Sequence, residues 1–328
     1  MARFRAMALA FTAIGCIVSA AAPSAYAQGY PTKPVKLVAN NAAGGVLDSL
    51  ARIAAGSLTH RLGIPVAVDN KPGAGGIIGA EAVVRAPADG YTLLFSAVDG
   101  LGVYPVAVKM PFDTTKDLLA IAKMTEVFSV FAVSSKFPAQ TMKEFIALAK
   151  AQPGKFSISS SGVGSSTHMN IELLKASAGI DITHIPYKGS AVVGIPDLVS
   201  GRIDAMSIGP GVIKSHVVSG AARVLAVTGP TRSSLYPEIP TMIENGFPGY
   251  VAGSFFGVFA PTGTPQEIVR RLAKELSEIA NSEEFVGLTA RIGAQKTVSV
   301  LDEFSKDIEG QARLWHTLAK ERNIKLTE

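Results

Sequence analysis

Short runs rich in Val, Ile, Leu and Phe alternate with stretches of helical periodicity along almost the whole chain, and no other feature restricts its fold so tightly. Strands are expected at Val35 to Ala39, Val66 to Asp69, Thr92 to Ala97, Ser129 to Val133, Phe156 to Ser159, Thr183 to Ile185, Ala205 to Ile208, Val224 to Val227 and Phe256 to Ala260. Strands spaced by helices join through crossovers that cover the sheet faces, so the fold class is α/β with a parallel or mixed sheet. Helix punctuation agrees. Thr264-Pro265-Gln266-Glu267 reads as a capping box with proline at the first helical position, and Gly179, Gly201 and Gly220 stand where helices should stop. The last helix, about Val300 to Arg322, is long and amphipathic with Phe304, Ile308, Leu314, Trp315 and Leu318 near one face, and Trp315 is read as packing.

The strand Val35 to Ala39 runs into Asn40-Asn41-Ala42-Ala43-Gly44-Gly45-Val46-Leu47-Asp48 and then into a helical stretch, Ser49 to Leu58. Glycines let a backbone approach a ligand closely, and the first turn of a helix offers unpaired N–H groups at the positive end of its dipole. A carboxylate or phosphate suits such a cradle. The device recurs from Phe156 to His168, where a strand meets Ser160-Ser161-Gly162-Val163-Gly164-Ser165-Ser166 and a helix start. Two cradles about 120 residues apart imply two lobes facing one cleft, because α/β sheets bind ligands at the carboxyl ends of their strands.

The first 27 residues read as a secretory signal: Arg3 and Arg5 give a positive start, Ala6 to Ala22 is apolar, and Ala25-Tyr26-Ala27 is a small-x-small cleavage site before Gln28. A membrane anchor and lipidation at Cys16 are the competing readings of this segment. Cys16 is the only cysteine, so a chain beginning at Gln28 has neither a disulfide nor a cysteine nucleophile. Without Arg3 and Arg5, 31 basic residues become 29 against 26 acidic ones, a mild charge of +3 with no basic run, which gives nucleic-acid binding no footing. The remaining chain, about 300 residues, exceeds one typical domain, so two α/β lobes are expected.

Enzymatic motifs are missing or incomplete. The dinucleotide pattern G-x-G-x-x-G fails at Gly73-x-Gly75, which is followed by Ile78, and at Gly162-x-Gly164, which is followed by Thr167; no Walker lysine follows either loop. A Ser/His hydrolase would use Ser165 or Ser166 beside His168 with Asp204 as orienting acid, but the G-x-S-x-G elbow is absent. The five histidines, His60, His168, His184, His216 and His316, show no ligand spacing, so no metal and no cofactor are expected. Asp48 either favours the helix dipole from the first turn or accepts from a ligand, and Asp99 invites the same two readings. Lys188, Gly189 and Ser190 end a strand at another helix start, where they could supply charge and donors to a carboxylate.

With these segments in place the chain resembles the Bug family, also called TctC, the periplasmic substrate-binding receptors of tripartite tricarboxylate transporters. The resemblance spans the mature chain. It rests on Tyr30-Pro31-Thr32-Lys33-Pro34-Val35, Gly44-Gly45-x-x-Asp48, Val68-Asp69-Asn70-Lys71-Pro72-Gly73-Ala74-Gly75-Gly76, Ala88-Asp89-Gly90-Tyr91-Thr92-Leu93, Gly162-x-Gly164-Ser165-x-x-His168, Pro186-Tyr187-Lys188-Gly189 and Gly201-Arg202-Ile203-Asp204.

This resemblance implies a two-lobed, Venus-flytrap receptor of the type II-like periplasmic-binding-protein fold. It would be a monomer that closes on a small carboxylated solute and hands it to membrane permease subunits, with no enzymatic step and no nucleic acid. Lobe one would comprise residues 28–125 and 253–328, and lobe two residues 126–252. Asn41, Gly45, Asp48, Asp99, Ser161, Gly164, Ser165, His168, Gly189, Ser190 and Asp204 are expected to line the cleft. Departures bear on selectivity: where the family usually reads Pro-Phe-x-Pro before the double glycine, this chain has Asn40-Asn41-Ala42-Ala43, and Ala97-Val98-Asp99 replaces the usual hydroxyl or amide residues after the third strand. A periplasmic sensor that reports to a signalling partner, and the Ser/His hydrolase, are the alternative functions.

Overall fold

The computed structural model describes residues 29–98, 110–187 and 190–321. The expected signal segment with its Ala27/Gln28 cleavage site, the Cys16 alternative, Asp99, Lys188 and Gly189 lie outside them. Among the described residues the strands are β1 (Val35–Ala39), β2 (Val66–Asn70), β3 (Thr92–Ala97), β4 (Leu118–Phe128), β5 (Val130–Ser134), β6 (Ser157–Ser160), β7 (Thr183–Pro186), β8 (Ala205–Ile208), β9 (Ala222–Val227), β10 (Gly253–Pro261) and β11 (Ala294–Val300). The helices are α1 (Val46–Leu62), α2 (Ile77–Val84), α3 (Thr114–Asp117), α4 (Met142–Ala151), α5 (Ser166–Ala178), α6 (Ile195–Ser200), α7 (Pro210–Val218), α8 (Gln266–Asn281), α9 (Glu283–Ala290) and α10 (Asp302–Glu321).

Two mixed sheets result, in the orders β11-β4-β10-β3-β1-β2 and β7-β6-β8-β5-β9. In the first, β1 runs parallel to both β2 and β3, while β10 is antiparallel to β3 and β4. In the second, β6 is parallel to β7 and β8, and β5 is antiparallel to β8 and β9. Both sheets therefore place a strand that feeds a glycine loop, β1 or β6, between two parallel neighbours.

Strands covered on both faces need apolar residues at every position, and β5 shows why its sequence is a continuous hydrophobic run. Phe131 and Val133 enter one core, with Phe137, Phe145 and Met169, whereas Val130 and Ala132 enter another, with Leu198, Ile208 and Ile213. Full burial of a side chain the size of Phe131 contributes about 2–3 kcal/mol. The first sheet packs Val38, Leu94, Phe255 and Phe259 against Phe304 of α10. Trp315, further along the same helix, is buried in the core that contains Phe131. Helix α8 turns Ile268, Val269, Leu272, Leu276 and Ile279 inward at three- and four-residue spacing.

The chain leaves the first sheet after Phe128 and returns to it at Gly253, so Glu126 is still inside β4. Thr228 ties the two crossings together: its N–H and hydroxyl donate to Ser129 O at 2.9 and 3.0 Å, and Ala252 N–H donates to Thr228 O at 2.9 Å.

Two elements and one cap depart from the sequence reading. Strands β4 and β11 were not foreseen. The capping box at Thr264 does not form: its hydroxyl donates to Pro261 O at 2.8 Å, and Pro265 occupies the N-cap of α8 with no side-chain cap. Gly179 and Gly201 do close α5 and α6 in the left-handed conformation.

Candidate ligand-binding site

At the carboxyl end of β1 the chain turns through Asn40 to Gly45 into α1. Gly44 adopts φ +85°, a region that L side chains avoid, and Gly45 serves as the N-cap without a side chain to cover the first-turn N–H groups. The turn is held from behind by Asp48. One carboxylate oxygen of Asp48 accepts from Gly44 N–H and Arg52 Nε, both at 3.0 Å, and the other accepts from Asn70 Nδ2 at 2.9 Å and forms an ion pair with a second Arg52 nitrogen at 3.0 Å, which itself donates to Asn70 Oδ1 at 3.1 Å. Burial pushes the Asp48 carboxyl up, but Arg52, the Gly44 N–H and Asn70 outweigh it and hold the group below its ordinary range. Asn70 also donates to Asn41 O at 3.2 Å, which ties the loop to β2.

The second loop leaves the carboxyl end of β6 and enters α5. Gly162 and Gly164 take φ of +126° and +77°. Ser165 is the N-cap and accepts from His168 N–H at 3.2 Å. Thr167 is the hub of the loop: its hydroxyl accepts from Ser161 N–H at 3.0 Å and lies 2.9 and 3.0 Å from the hydroxyls of Ser161 and Ser165. Beneath the loop, Gly164 N–H donates to His168 Nδ1 at 3.0 Å, the His168 ring stacks on His184 with centroids 4.1 Å apart, and His184 Nε2 lies 2.6 Å from Ser160 Oγ. Burial is the main cause that pushes both imidazoles down to about 4, helped by Lys175 and, for His184, by its stacked partner. Both rings are therefore neutral near pH 7.

Between the loops lies a cavity of about 140 Å³, room for a small organic solute rather than a single water. The first turn of α1 contributes Val46 and Leu47, and that of α5 contributes Ser166 and Thr167, so two helix N-termini open onto one space. Ser129, Ile208 and Phe256 add to the wall. The two sides touch directly: a Cβ on Gly45 would stand 3.2 Å from Ser190 Oγ, and one on Gly209 would stand 2.4 Å from Val46 Cγ2.

Of the residues singled out in the sequence, Asn41, Gly45, Ser161, Ser165 and Ser190 lie on this wall. Asp48, Gly164 and His168 do not; they stand one layer behind it and shape the loops. Asp204 is also off the wall, for a topological reason. It accepts from the N–H and hydroxyl of Ser157 at 2.8 and 3.0 Å, and Ser157 is the first residue of β6, at the opposite end from the loop. A Ser/His/Asp triad is consequently not assembled: Asp204 is remote, Ser165 caps the helix, and His168 Nδ1 already accepts from Gly164. Ser96 and Ser129 join the wall without having been singled out in the sequence, and Asn40 and Thr167, both inside the two cradles, lie on it as well; the segment Gly73 to Gly76, also part of the wall, belongs to a motif visible in the sequence.

Two mixed α/β sheets joined by paired crossings, each presenting a loop and helix N-terminus to one cleft, define the two-lobed fold of a solute-binding protein. An R. palustris protein solved with adipate has a TM-score of 0.86 at 31% identity, covering 90% of this chain and 98% of that one. The periplasmic binding protein BugD gives 0.84 at 30%, covering 91% and 100%. In sequence, the protein BugT of Bordetella pertussis is 32% identical over 305 residues, 92% of each chain. Residues 50–324 match the family described as the tripartite tricarboxylate transporter family receptor, and the chain belongs to that family.

Proposed function

We propose that this protein captures a small carboxylated solute in the cleft and delivers it to integral membrane permease subunits of the tripartite tricarboxylate type. The observation that carries this reading is the meeting of two helix N-termini and their hydroxyl-rich loops at one cavity, which suits a carboxylate at each end or at one end of a solute. A relative solved with adipate supports the carboxylate class. In this reading Asn41, Gly45, Ser161, Ser165 and Ser190 contact the solute, while Asp48, His168 and Asp204 hold the frame. Contacts from both sides favour the closed state, and that differential affinity drives closure without any bond being made or broken. The amino-terminal segment would direct export and be removed near Gln28, placing the receptor in the periplasm.

Thermal-shift screening of the mature chain against mono- and dicarboxylic acids, aromatic acids, amino acids and sugars tests the proposal. A solute bound only by the native state adds about 2.7 kcal/mol of stability at a hundredfold excess over Kd, a shift of several degrees in Tm. At least one carboxylic acid is expected to give a saturable shift that Ser165→Ala weakens. Saturable shifts from sugars or amines alone would overturn the assignment.

A further inference from the structure

Resting on the carboxylate-receptor reading, we infer that Asn40 selects solutes carrying a neutral hydrogen-bond donor, an O–H or amide N–H, in addition to the carboxylate. Asn40 is buried, with 6% of its surface exposed, and belongs to the cavity wall. Its amide orientation is fixed by chemistry: Nδ2 donates to Gly76 O at 3.2 Å, a carbonyl that can only accept, and to Ser96 Oγ at 3.0 Å. Ser96 spends its own proton on Ala97 O at 2.9 Å, consistent with accepting from Asn40.

Both amide hydrogens are thus used within the protein, and turning the amide over would set Oδ1 against the Gly76 carbonyl, two acceptors facing each other. The absence of side chains at Gly76 and Gly79 lets their backbone close on Asn40: a Cβ at Gly76 would stand 2.6 Å from Asn40 Nδ2, and one at Gly79 would stand 2.6 Å from Asn40 Cβ. The remaining polar atom, Oδ1, has no hydrogen-bond donor among the described residues, yet it is not one of the sealed, unpaired polar atoms, which are Ser159 Oγ and Trp315 Nε1. It therefore offers an acceptor to the cavity.

An acceptor repels a carboxylate oxygen and gains nothing from a methylene, whereas a hydroxyl or amide N–H satisfies it. A site built around such an acceptor rejects the analogue that lacks the donor, because the site's own polar group is then left unpaired. An ammonium would also donate, but Asp48, the carboxylate behind the first loop, already has both oxygens occupied by Gly44, Arg52 and Asn70. Among the described residues the wall carries no charged side chain, so a neutral donor fits it better than a cation.

The test is titration calorimetry on matched pairs: propionate with lactate, succinate with malate, and glutarate with glutaramate, plus alanine and aspartate as ammonium-bearing counterparts. At least one hydroxy or amide acid is expected to bind the native protein about tenfold more tightly than its parent. In Asn40→Ala that ratio should fall to about one. No donor-bearing acid exceeding its parent by as much as threefold would overturn the inference while leaving the receptor reading intact. So would a preference that survives Asn40→Ala, or one in which the ammonium-bearing acid is the tightest. Failure of every acid to bind would overturn the receptor reading and this inference together. The native-protein comparison decides the matter even if Asn40→Ala does not fold.

Discussion

At the level of single residues, Asp48 stands behind the cavity wall and holds the first loop through its own hydrogen bonds. It sits four residues past Gly44, where a carboxylate could have met a ligand, but its two oxygens accept three hydrogen bonds, from Gly44, Arg52 and Asn70, and pair with the Arg52 guanidinium. Its work is to hold the first loop in place. Asp48→Ala leaves the Gly44 and Asn70 donors unpaired, which costs about 1–3 kcal/mol, and it frees the loop that presents Asn41 and Gly45. We expect a lower Tm and roughly tenfold weaker solute binding, with Asp48→Asn intermediate because it keeps some acceptor capacity. Unchanged affinity in a folded Asp48→Ala protein, read by calorimetry, would show that the loop holds itself. What was legible here was local chemistry: glycines that need positive φ, hydroxyls that cap helices, and N–H groups at helix starts. What was not legible depends on distant partners. The free acceptor of Asn40 exists only because Gly76 and Ser96, 36 and 56 residues away, take both of its amide hydrogens. Thr167 reads as a second-position helix residue until Ser161 is folded back onto it.

Among the elements, the strands foreseen were those whose apolar runs are marked off by glycine, proline or polar turns; β1, β3 and β8 have the bounds read from the sequence. Strand β4 escaped because Leu-Leu-Ala-Ile-Ala-Lys-Met is made of strong helix formers, and its extended conformation comes from pairing with β10 and β11. Strand β11, with Gln295, Lys296 and Thr297, carries little hydrophobic signal and is defined by the edge it occupies. Tertiary pairing also brings α7 against the turn before β11. Gly211 N–H donates to Ile292 O at 3.2 Å, and a Cβ at Gly211 would stand 2.5 Å from Ile292 Cα. The obstacle is backbone, which cannot rotate aside. Since α7 packs in the core of the second sheet and Ile292 precedes β11 of the first, Gly211→Ala should push the two sides of the cleft apart. Solute affinity is expected to drop at least tenfold with little change in the Tm of the ligand-free protein, because opening relieves the clash that closure would impose. Equal affinity for the variant and the native protein would mean that closure does not require this contact.

For the molecule as a whole, acid sensitivity follows from the stacked pair beneath the second loop. His168 is buried, and burial together with Lys175 pushes its pKa down to about 4; His184, stacked on it, falls to about 4 for the same main reason. Glu172 is the opposing charge, 3.9 Å from His168 Nε2, but it is already paired with Lys175 at 3.0 Å. An unfolded histidine takes up its proton near pH 6.5, so between pH 6.5 and 4 the unfolded chain binds protons that the native protein refuses. Stability is therefore unaffected by these groups above pH 6.5 and is lost progressively as pH falls toward 4, by roughly 3 kcal/mol for His168. Ordinary carboxylates protonate mainly below this window, and Glu126, whose carboxyl burial pushes up, would oppose the fall, so a falling midpoint between pH 6.5 and 4.5 reports the histidines. Urea melts at pH 7.0, 5.5 and 4.5 should show the midpoint falling, and His184→Gln should flatten that fall by removing one titrating ring. Solute binding should weaken over the same range, because a proton on His168 Nδ1 displaces the Gly164 N–H that it accepts and loosens the loop carrying Ser161 and Ser165. A midpoint that stays level from pH 7.0 to 4.5 would mean that the buried rings accept protons in the folded protein, and the neutral stack would then not be what holds the second loop.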